Sequence, residues 1–344
     1  MKILLIRFSS FGDVAQCLSV PSALAARYPQ AEVHWVTRSD FAHLLEGHPH
    51  IKKIWAFDRK KGLSGLRDLI RELRREKFDL VYDAHNNLRS RLISSGLRFP
   101  WDWRRLFSPP RLIRRSLKRW KRFLLFRFRI NKFEQPFAGQ RDLLEPLQKL
   151  GIPKFPPPDA PQLFLSAKDL EKAESVLGPF ASDEFWTCAA SAAHELKRWP
   201  VEHWKELILS RPRDRFVLLG GPEDAFYAEI TAVAPDRVLN LAGKCSLTVS
   251  AAVISKSNLL IANDTGLLHV AEQLGVQAIA MMGPAPFGFP CRPRTKILEL
   301  DLACRPCSKH GQGPCVNEKF HRCMVDITPR RVSETLTALT GKAP

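Results

Sequence analysis

The sequence predicts an α/β protein with two doubly wound parallel sheets, one in each half of the chain. Short apolar runs alternate with segments of helical periodicity, which is the order of elements that builds parallel sheets. A stretch with five prolines in eleven residues, at 151–161, separates two such series and is unsuited to a helix or a central strand. The 344 residues suffice for a core in each half. We therefore expect domains at 1–155 and 156–328, followed by a helix or tail at 329–344.

Each half can be divided into elements in chain order. In the first half we predict strands at 2–8, 31–37, 51–57 and 80–83, with helices at 14–28 and 63–76 and a polar turn leading to a helix at 83–90. In the second half we predict strands at 185–189, 215–219, 238–240, 258–262 and 277–282, with helices at 201–210, 247–255 and 267–274. Glycine turns near 220, 243, 266 and 283 follow strands, so we expect them at one sheet edge.

The stretch at 259–275 carries the strongest local signal. A buried strand ends at the turn Asn263-Asp264-Thr265-Gly266, and apolar residues then recur at helical spacing. Such a turn can cap a helix and let its free N–H groups bind a phosphate. An ordinary capped helix is the alternative interpretation.

Asp13 lies in the loop after the first strand, at the edge where doubly wound folds place their sites. A carboxylate there is either a helix cap or a general base.

Charge is distributed unevenly along the chain. Residues 1–154 hold 32 Lys and Arg against 14 Asp and Glu, whereas the remainder holds 21 of each. A basic first half indicates an anionic partner, which could be a nucleic acid, a membrane surface or a phosphorylated glycan.

The segment at 111–130 is predicted as a basic amphipathic helix. It lies in a stretch, 98–132, with thirteen basic residues and one acid, and Ile113, Leu117, Trp120 and Leu124 share one helical face. This pattern suits an anionic membrane surface. Nucleic-acid binding and a solvated helix are the alternatives.

The N-terminal apolar run is too short for a signal peptide, and no segment reaches the length of a membrane span. We therefore expect a cytosolic protein with reduced cysteines. Cys304, Cys307, Cys315 and Cys323 follow a C-x2-C-x7-C-x7-C spacing. They predict either a structural zinc site or reduced cysteines that serve packing.

Several motifs, taken in order, resemble one known family. They are MKILLIRFSSFGDV, KFDLVYDAHNNLRS, LKRWPVEHWKEL, LLGGPEDA, NLAGKCSLTVSAAVI and ANDTGLLHVAEQLGVQAIAMMGP. Together they resemble the bacterial glycosyltransferase family that contains the lipopolysaccharide heptosyltransferases, over nearly the whole chain. The resemblance implies a GT-B type fold, in which two Rossmann-like doubly wound domains face a central cleft.

The resemblance also implies a reaction and a donor site. Asp13 would be the catalytic base of an inverting transfer of heptose from ADP-heptose, with no metal required. Lys197 would contact phosphate and Asp264 the donor sugar. The other implied donor-binding residues are Thr265, Gly266 and Leu267 through backbone N–H groups, His269, Glu223 at the ribose, and Gly243 and Lys244 at the adenine edge.

On the acceptor side, the resemblance implies an anionic lipid-linked saccharide of the lipopolysaccharide inner core. The expected acceptor-binding residues are Ser10, Gly12, Arg59, Lys60, Lys61 and Arg89, although the four basic ones are also compatible with a solvated charge run. The protein would act in the cytoplasm, bound peripherally to the inner face of the cytoplasmic membrane through 111–130, with no nucleic-acid partner.

Two departures from the family pattern leave the donor open. Cys188-Ala189-Ala190-Ser191 stands where relatives have a Pro-Gly turn, and Ala285 stands where a Thr is common. Transfer from another nucleotide sugar therefore remains an alternative. A non-catalytic protein that binds anionic glycans or nucleic acid is a second alternative.

Overall fold

The computed structural model describes residues 1–98 and 109–344. The chain divides into two compact units. Unit 1 comprises 1–119 and 139–164, and unit 2 comprises 120–138 and 165–344. The proline-rich segment, with its flanks at 151–166, contains neither helix nor strand.

Unit 1 contains a parallel sheet of five strands in the order β3-β2-β1-β4-β5. The strands are β1 (Lys2–Ile6), β2 (Glu32–Arg38), β3 (Lys53–Phe57), β4 (Leu80–Asp83) and β5 (Arg111–Arg114). Its helices are α1 (Phe11–Cys17), α2 (Ser19–Arg27), α3 (Gly62–Glu76), α4 (Leu88–Arg98) and α6 (Gly139–Leu144). The helix α5 (Arg119–Phe128) begins at the last residue of the first segment of unit 1, and its other residues belong to unit 2. β1 is the central strand, and its apolar run is completely buried from Ile3 onwards.

Unit 2 contains a parallel sheet of six strands in the order β11-β10-β9-β6-β7-β8. The strands are β6 (Trp186–Ala189), β7 (Phe216–Leu218), β8 (Val238–Asn240), β9 (Leu259–Asn263), β10 (Ala278–Met281) and β11 (Thr295–Leu298). Its helices are α7 (Ala167–Leu177), α8 (Val201–Leu209), α9 (Tyr227–Thr231), α10 (Leu247–Lys256), α11 (Gly266–Leu274), α12 (Arg322–Val325) and α13 (Pro329–Thr340).

The strand orders locate the functional edges. When the strands of unit 2 are renumbered from 1, so that β6 is strand 1, the order across its sheet is 3-2-1-4-5-6, which is the dinucleotide-binding arrangement. The order in unit 1 is 3-2-1-4-5. Ligands of such sheets bind beyond the carboxyl ends of the strands, where the strand order reverses. These switch points lie between β1 and β4 and between β6 and β9.

One predicted helix is divided in two. The helix expected at 14–28 is α1 followed by α2, with the break at Leu18. Pro21 lies in the first turn of α2 and has no N–H to donate to the carbonyl of Cys17, so the i to i−4 ladder is interrupted there.

The prediction of one amphipathic helix over 111–130 is wrong for its first part. β5 occupies 111–114 and pairs with β4, so that Ile113 lies opposite Tyr82. Arg114 pairs with Asp83, while Arg115 and Lys118 pair with Asp142. These charges are compensated within unit 1. Residues 99–108 of the basic stretch lie outside the described residues. No helix in the described ranges is long and apolar enough to cross a membrane.

Candidate active site

The switch point of unit 2 contains an ion pair between Lys197 and Asp264. Lys197 ends a 3₁₀ turn in the loop after β6, and Asp264 follows the last residue of β9. The Lys197 Nζ lies 2.6 Å from the Asp264 Oδ2, and the two side chains are only 16% and 9% exposed. A cation held at this edge by a largely buried carboxylate is preorganised for an anionic ligand.

Asn263 joins the two loops that carry this pair. Its Oδ1 accepts a hydrogen bond from the backbone N–H of Trp199 at 3.1 Å, and its Nδ2 donates to the carbonyl of Ala190 at 2.6 Å. The side chain is fully buried. Sequence reasoning gave Asn263 no role, although a polar residue at the end of an apolar strand was the available signal.

Beyond Asp264, the chain enters α11. Thr265 is the N-cap residue, with extended backbone, and Gly266 is the first helical residue. The first N–H groups of a helix have no partner within it, and they carry the positive end of the helix dipole. Thr265, Gly266 and Leu267 therefore lie at the same edge as Lys197, and their binding of a donor through backbone N–H groups stays a prediction.

The turns after β7 and β8 pack against each other. The Gly243 N–H donates to the carbonyl of Gly220 at 3.0 Å. Gly243 has φ +72°, and a Cβ there would lie 2.8 Å from the Cα of Pro222, so only glycine fits. The Lys244 ammonium donates to the carbonyl of Asn240. Glu223, in the turn after β7, is exposed. The glycine turns thus share one edge of the sheet.

The unusual segment at 188–191 comprises the last two residues of β6 and the start of the loop that follows, and side chains after β7 fix it at Ser191. The Ser191 hydroxyl donates to the Asp224 Oδ1 at 2.5 Å, and the Ser191 N–H donates to the Tyr227 hydroxyl at 2.8 Å. The other carboxylate oxygen of Asp224 accepts from the N–H of Gly221. Sequence reasoning missed Asp224 and Tyr227, whose contacts with Ser191 are non-local.

His269 is buried on α11 rather than displayed at the sheet edge. Its Nδ1 lies 3.7 Å from the Glu272 Oε2 and has no hydrogen-bond partner in the described part of the chain. Glu272 in turn accepts from the backbone N–H groups of Cys291 and Arg292. A contact between His269 and a donor stays a prediction.

Asp13 lies at the switch point of unit 1, in the first turn of α1. Its carboxylate accepts from the Ser10 backbone N–H at 3.2 Å and from the Ser10 hydroxyl at 2.8 Å. The Arg7 Nη2 lies 2.7 Å from the same carboxylate. The Asp13 side chain is 41% exposed, whereas that of Arg7 is 5% exposed. Asp13 therefore both caps the helix and presents a carboxylate to solvent.

Arg7 sets the electrostatics of Asp13. Burial raises the pKa of this carboxyl. The charges of Arg7 and Arg115 and the hydrogen bonds from Ser10 lower the pKa by more than burial raises it. The net result is a pKa well below the usual range. Arg7 also donates to the carbonyl of Ala84 after β4. Sequence reasoning missed Arg7, because nothing local distinguishes it from other arginines.

Comparison with known proteins decides the family. A family model described as "Glycosyltransferase family 9 (heptosyltransferase)" matches residues 66–319. The chain belongs to glycosyltransferase family 9. It is 26% identical to lipooligosaccharide heptosyltransferase 2 of Haemophilus influenzae, over 99% of this chain and all of that one. It is therefore a glycosyltransferase.

Solved structures agree with this assignment. The structure of E. coli ADP-heptose lipopolysaccharide heptosyltransferase II is 25% identical, with a TM-score of 0.74 over 98% of both chains. A family 9 glycosyltransferase from Veillonella parvula has a TM-score of 0.77 at 20% identity, over 98% of this chain and 96% of that one. The predicted fold class, two Rossmann-like doubly wound domains of the GT-B type, is confirmed.

The predicted acceptor residues of this family 9 enzyme do not form one group. Arg59 and Arg89 line a cavity at the carboxyl edge of the sheet in unit 1, whereas Lys60 and Lys61 are not part of its lining. Ser10 bonds to Asp13, and Gly12 lies in the first turn of α1.

Of the four cysteines of this family 9 chain, Cys304, Cys307 and Cys315 lie in the loop between β11 and α12, and Cys323 lies in α12. The Cys304 sulfur accepts from the side chain of Asn317, and the Cys315 sulfur accepts from the N–H of His321. Within 1–98 and 109–344, no three His, Cys, Asp or Glu side chains are arranged to hold a metal ion. A zinc site at Cys304, Cys307, Cys315 and Cys323 stays a prediction from their spacing.

Proposed function

We propose that this enzyme transfers a heptose from ADP-heptose, with inversion, to an anionic lipid-linked saccharide of the lipopolysaccharide inner core. The observation that carries the proposal is the pair of Lys197 and Asp264 beside the N-terminus of α11, at the switch point of a sheet with dinucleotide-binding order. The names of the relatives supply the sugar and the acceptor, and the E. coli structure is described as an ADP-heptose enzyme.

In this proposal the donor's diphosphate binds to Lys197 and to the backbone N–H groups of Thr265, Gly266 and Leu267. The ADP leaving group gains negative charge as the bond to the sugar breaks. A lysine ammonium and a helix N-terminus stabilise that charge, because both are fixed before the reaction. Transfer then needs no cofactor. Asp264 would accept hydrogen bonds from hydroxyl groups of the sugar.

Asp13 would be the general base. Its carboxylate takes the proton of the acceptor hydroxyl as that oxygen attacks the anomeric carbon. The bond from this carbon to the β-phosphate oxygen breaks, and ADP leaves with the electron pair. Attack from the face opposite the leaving group inverts the configuration. The low pKa of Asp13 keeps the base ionised at neutral pH.

A donor with another nucleotide is the second candidate function. The segment at 188–191 differs from the family's usual Pro-Gly turn and is held at Ser191 by Asp224 and Tyr227. Ser191 and Lys197 belong to the same connection between β6 and α8, so a change in this connection would change the fit of the nucleotide.

We expect ADP to raise the melting temperature of the protein, while UDP, GDP and CMP do so much less. A ligand that binds only the native state stabilises it, by about 2.7 kcal/mol at a hundred times its Kd. For a unit of this size, that corresponds to about 5–10 °C. The measurement is thermal unfolding at matched nucleotide concentrations, followed by a transfer assay with ADP-heptose. A larger shift with UDP or GDP would reject ADP-heptose in favour of another donor, and no shift with any of them would reject a donor built on any of these nucleotides.

We further propose that the enzyme works in the cytoplasm at the inner face of the cytoplasmic membrane, and that α5 contacts the lipid. The outward face of α5, together with Ile130 two residues beyond its end, forms the aromatic-basic patch, which comprises Trp120, Phe123, Phe128, Ile130, Arg119, Lys121 and Arg127. Trp120 is 68% exposed and stacks on Phe123, with ring centroids 5.5 Å apart. The opposite side is anchored by the buried Leu125. Exposed aromatic rings between cations suit an anionic bilayer interface.

We expect the double variant Trp120→Ser and Phe128→Ser to bind vesicles of phosphatidylglycerol and phosphatidylethanolamine at least about tenfold more weakly, because two aromatic side chains are withheld from the interface. Co-sedimentation with vesicles measures this. Leu209→Ser with Phe320→Ser is the matched control, since both residues are exposed elsewhere in unit 2. Equal binding by wild type and the patch variant, or an equal loss in the control, would rule out this contact.

A further inference from the structure

A small cationic cavity lies at the carboxyl edge of the sheet in unit 1. Its volume is about 110 Å³, and a water molecule takes about 30 Å³ in the liquid. The cavity can therefore hold a small chemical group. Among the described residues, its lining contains three arginines, Arg38, Arg59 and Arg89, and no carboxylate. Such a cavity attracts an anion.

Two of the three arginines are available for a ligand. The side chains of Arg59 and Arg89 have no hydrogen-bond or ion-pair partner in the described ranges. Arg38 is held differently, since it pairs with Asp40 and lies 4.9 Å from the ring centroid of Phe41. Guanidinium groups bind phosphate and carboxylate through paired N–H donors, which makes them suited to a planar or tetrahedral oxyanion.

Neutral donors complete the lining. Burial, more than the charge of Arg7, lowers the pKa of His85 to about 4, so the imidazole is neutral at pH 7. Its Nδ1 is buried without a hydrogen-bond partner in the described chain, and its ring packs edge-on against Phe8 at 5.5 Å. The Asn87 Oδ1 accepts from Ser90, which leaves the amide NH₂ as a donor. An apolar wall strengthens interactions between charges by lowering the local dielectric constant.

We propose that this cavity binds a single oxyanion, a phosphate monoester or a carboxylate, on the acceptor saccharide. The inference rests on the proposed function and specifies how its acceptor is recognised. Ser9 lines the cavity and immediately precedes Ser10, which donates two hydrogen bonds to Asp13. An anion bound there orients the acceptor so that a neighbouring hydroxyl reaches the Asp13 carboxylate. Arg38, His85 and Asn87 join the predicted Arg59 and Arg89 as acceptor-binding residues.

Direct binding of small probes tests the cavity without any transfer reaction. The probes are glucose 1-phosphate and glucuronate, titrated calorimetrically into wild type and into Arg59→Gln with Arg89→Gln. We expect one site, weakened by about 100-fold in the double variant, because two charge-assisted interactions are lost. Arg67→Gln with Arg75→Gln, two exposed arginines of α3, removes the same charge outside the cavity and should bind as wild type does.

The two probes also separate the sources of the anion. Binding of glucose 1-phosphate alone identifies a phosphorylated sugar, and binding of glucuronate alone identifies an acidic sugar. Equal weakening in both double variants would show a diffuse basic field and overturn the proposal. Failure of both probes to bind wild type would overturn it as well.

Kinetics distinguish this inference from the proposed function. The Arg59 and Arg89 double variant should raise the KM for the acceptor by about 100-fold, the fold-change expected for the probes, while kcat and the melting shift with ADP stay near the wild-type values. If wild type shows no shift with ADP and no transfer, the proposed function fails while probe binding still reports on the cavity. If transfer occurs but the acceptor KM does not change in the variant, the cavity proposal fails alone.

Discussion

Replacing Asp13 by asparagine is expected to lower kcat about a thousandfold, the middle of the range for loss of a general base. Asparagine has nearly the same shape, and its side-chain oxygen can still accept from Ser10, so α1 should keep its cap. What it cannot do is take a proton from the acceptor hydroxyl. The measurement is initial-rate kinetics with ADP-heptose and acceptor, together with thermal unfolding.

The control for this substitution is Asp68→Asn, which removes the same charge from the exposed surface of α3. Its kcat should equal that of wild type. The variant at position 13 should also retain the melting shift with ADP, since the donor residues lie in unit 2. A folded Asp13→Asn enzyme with wild-type kcat would show that Asp13 is only a helix cap.

The pH dependence follows from the sign of the Asp13 shift. A carboxyl whose pKa is lowered in the folded state stabilises the fold above its unfolded pKa of about 3.9. That contribution is lost as the pH falls through the lower, folded value. Because Arg7 keeps the base ionised, kcat/KM should not fall between about pH 8 and pH 5 on account of Asp13. A loss of activity with a midpoint near pH 6 that is absent in Asp13→Asn would contradict the lowered pKa.

The central strands could be predicted because burial on both faces leaves a continuous apolar run. β1, β9 and β10 have this pattern, and their residues are buried throughout or nearly so. β5 and β11 were not predicted. Both are edge strands of four residues that begin or continue with charged side chains, RLIR and TKIL. An edge strand is covered on fewer sides, so its sequence carries less of the apolar signal.

The partners of the charged residues in the basic stretch at 98–132 could not be predicted from local sequence either. From sequence, Arg114, Arg115 and Lys118 resembled the outer face of a helix. In the fold they meet Asp83 and Asp142, which stand 24 to 31 residues away in the chain. Local periodicity contains no information about such partners, and a charge excess counted along the chain therefore overestimates the charge available to a ligand.

For the candidate site, motifs identified the residues that are proposed to face a ligand but not those that hold them in place. Asp13, Lys197 and Asp264 stand in recognisable turns. Arg7 and Asn263 act through contacts with segments 77 and 73 residues away. Strand order brings those segments together, so these supporting residues become visible only once the two sheets are known.

Replacing Lys197 by methionine is expected to weaken ADP binding by about 10- to 100-fold, which is the value of one charge-assisted interaction with a phosphate. It should lower kcat by a further 100- to 1000-fold or thereabouts, because the leaving diphosphate loses a preorganised cation. Methionine keeps the length and apolar stem of lysine. Calorimetric titration of ADP and transfer kinetics measure the two effects separately, and Lys205→Met, which removes a lysine from surface ion pairs in the same unit, should show neither.

Removing Lys197 also has a second effect, because Asp264 loses its ion-pair partner. Lys197→Met leaves the Asp264 carboxylate, 9% exposed, without its partner, at the edge where we propose that the diphosphate binds. That charge both destabilises the fold and repels the ligand. The double variant Lys197→Met with Asp264→Asn removes the repulsion, so it should recover the melting temperature and part of the ADP affinity but not kcat. Full recovery of kcat in the double variant would mean that Lys197 serves only to neutralise Asp264, and the role of this lysine in stabilising the leaving group would have to be abandoned.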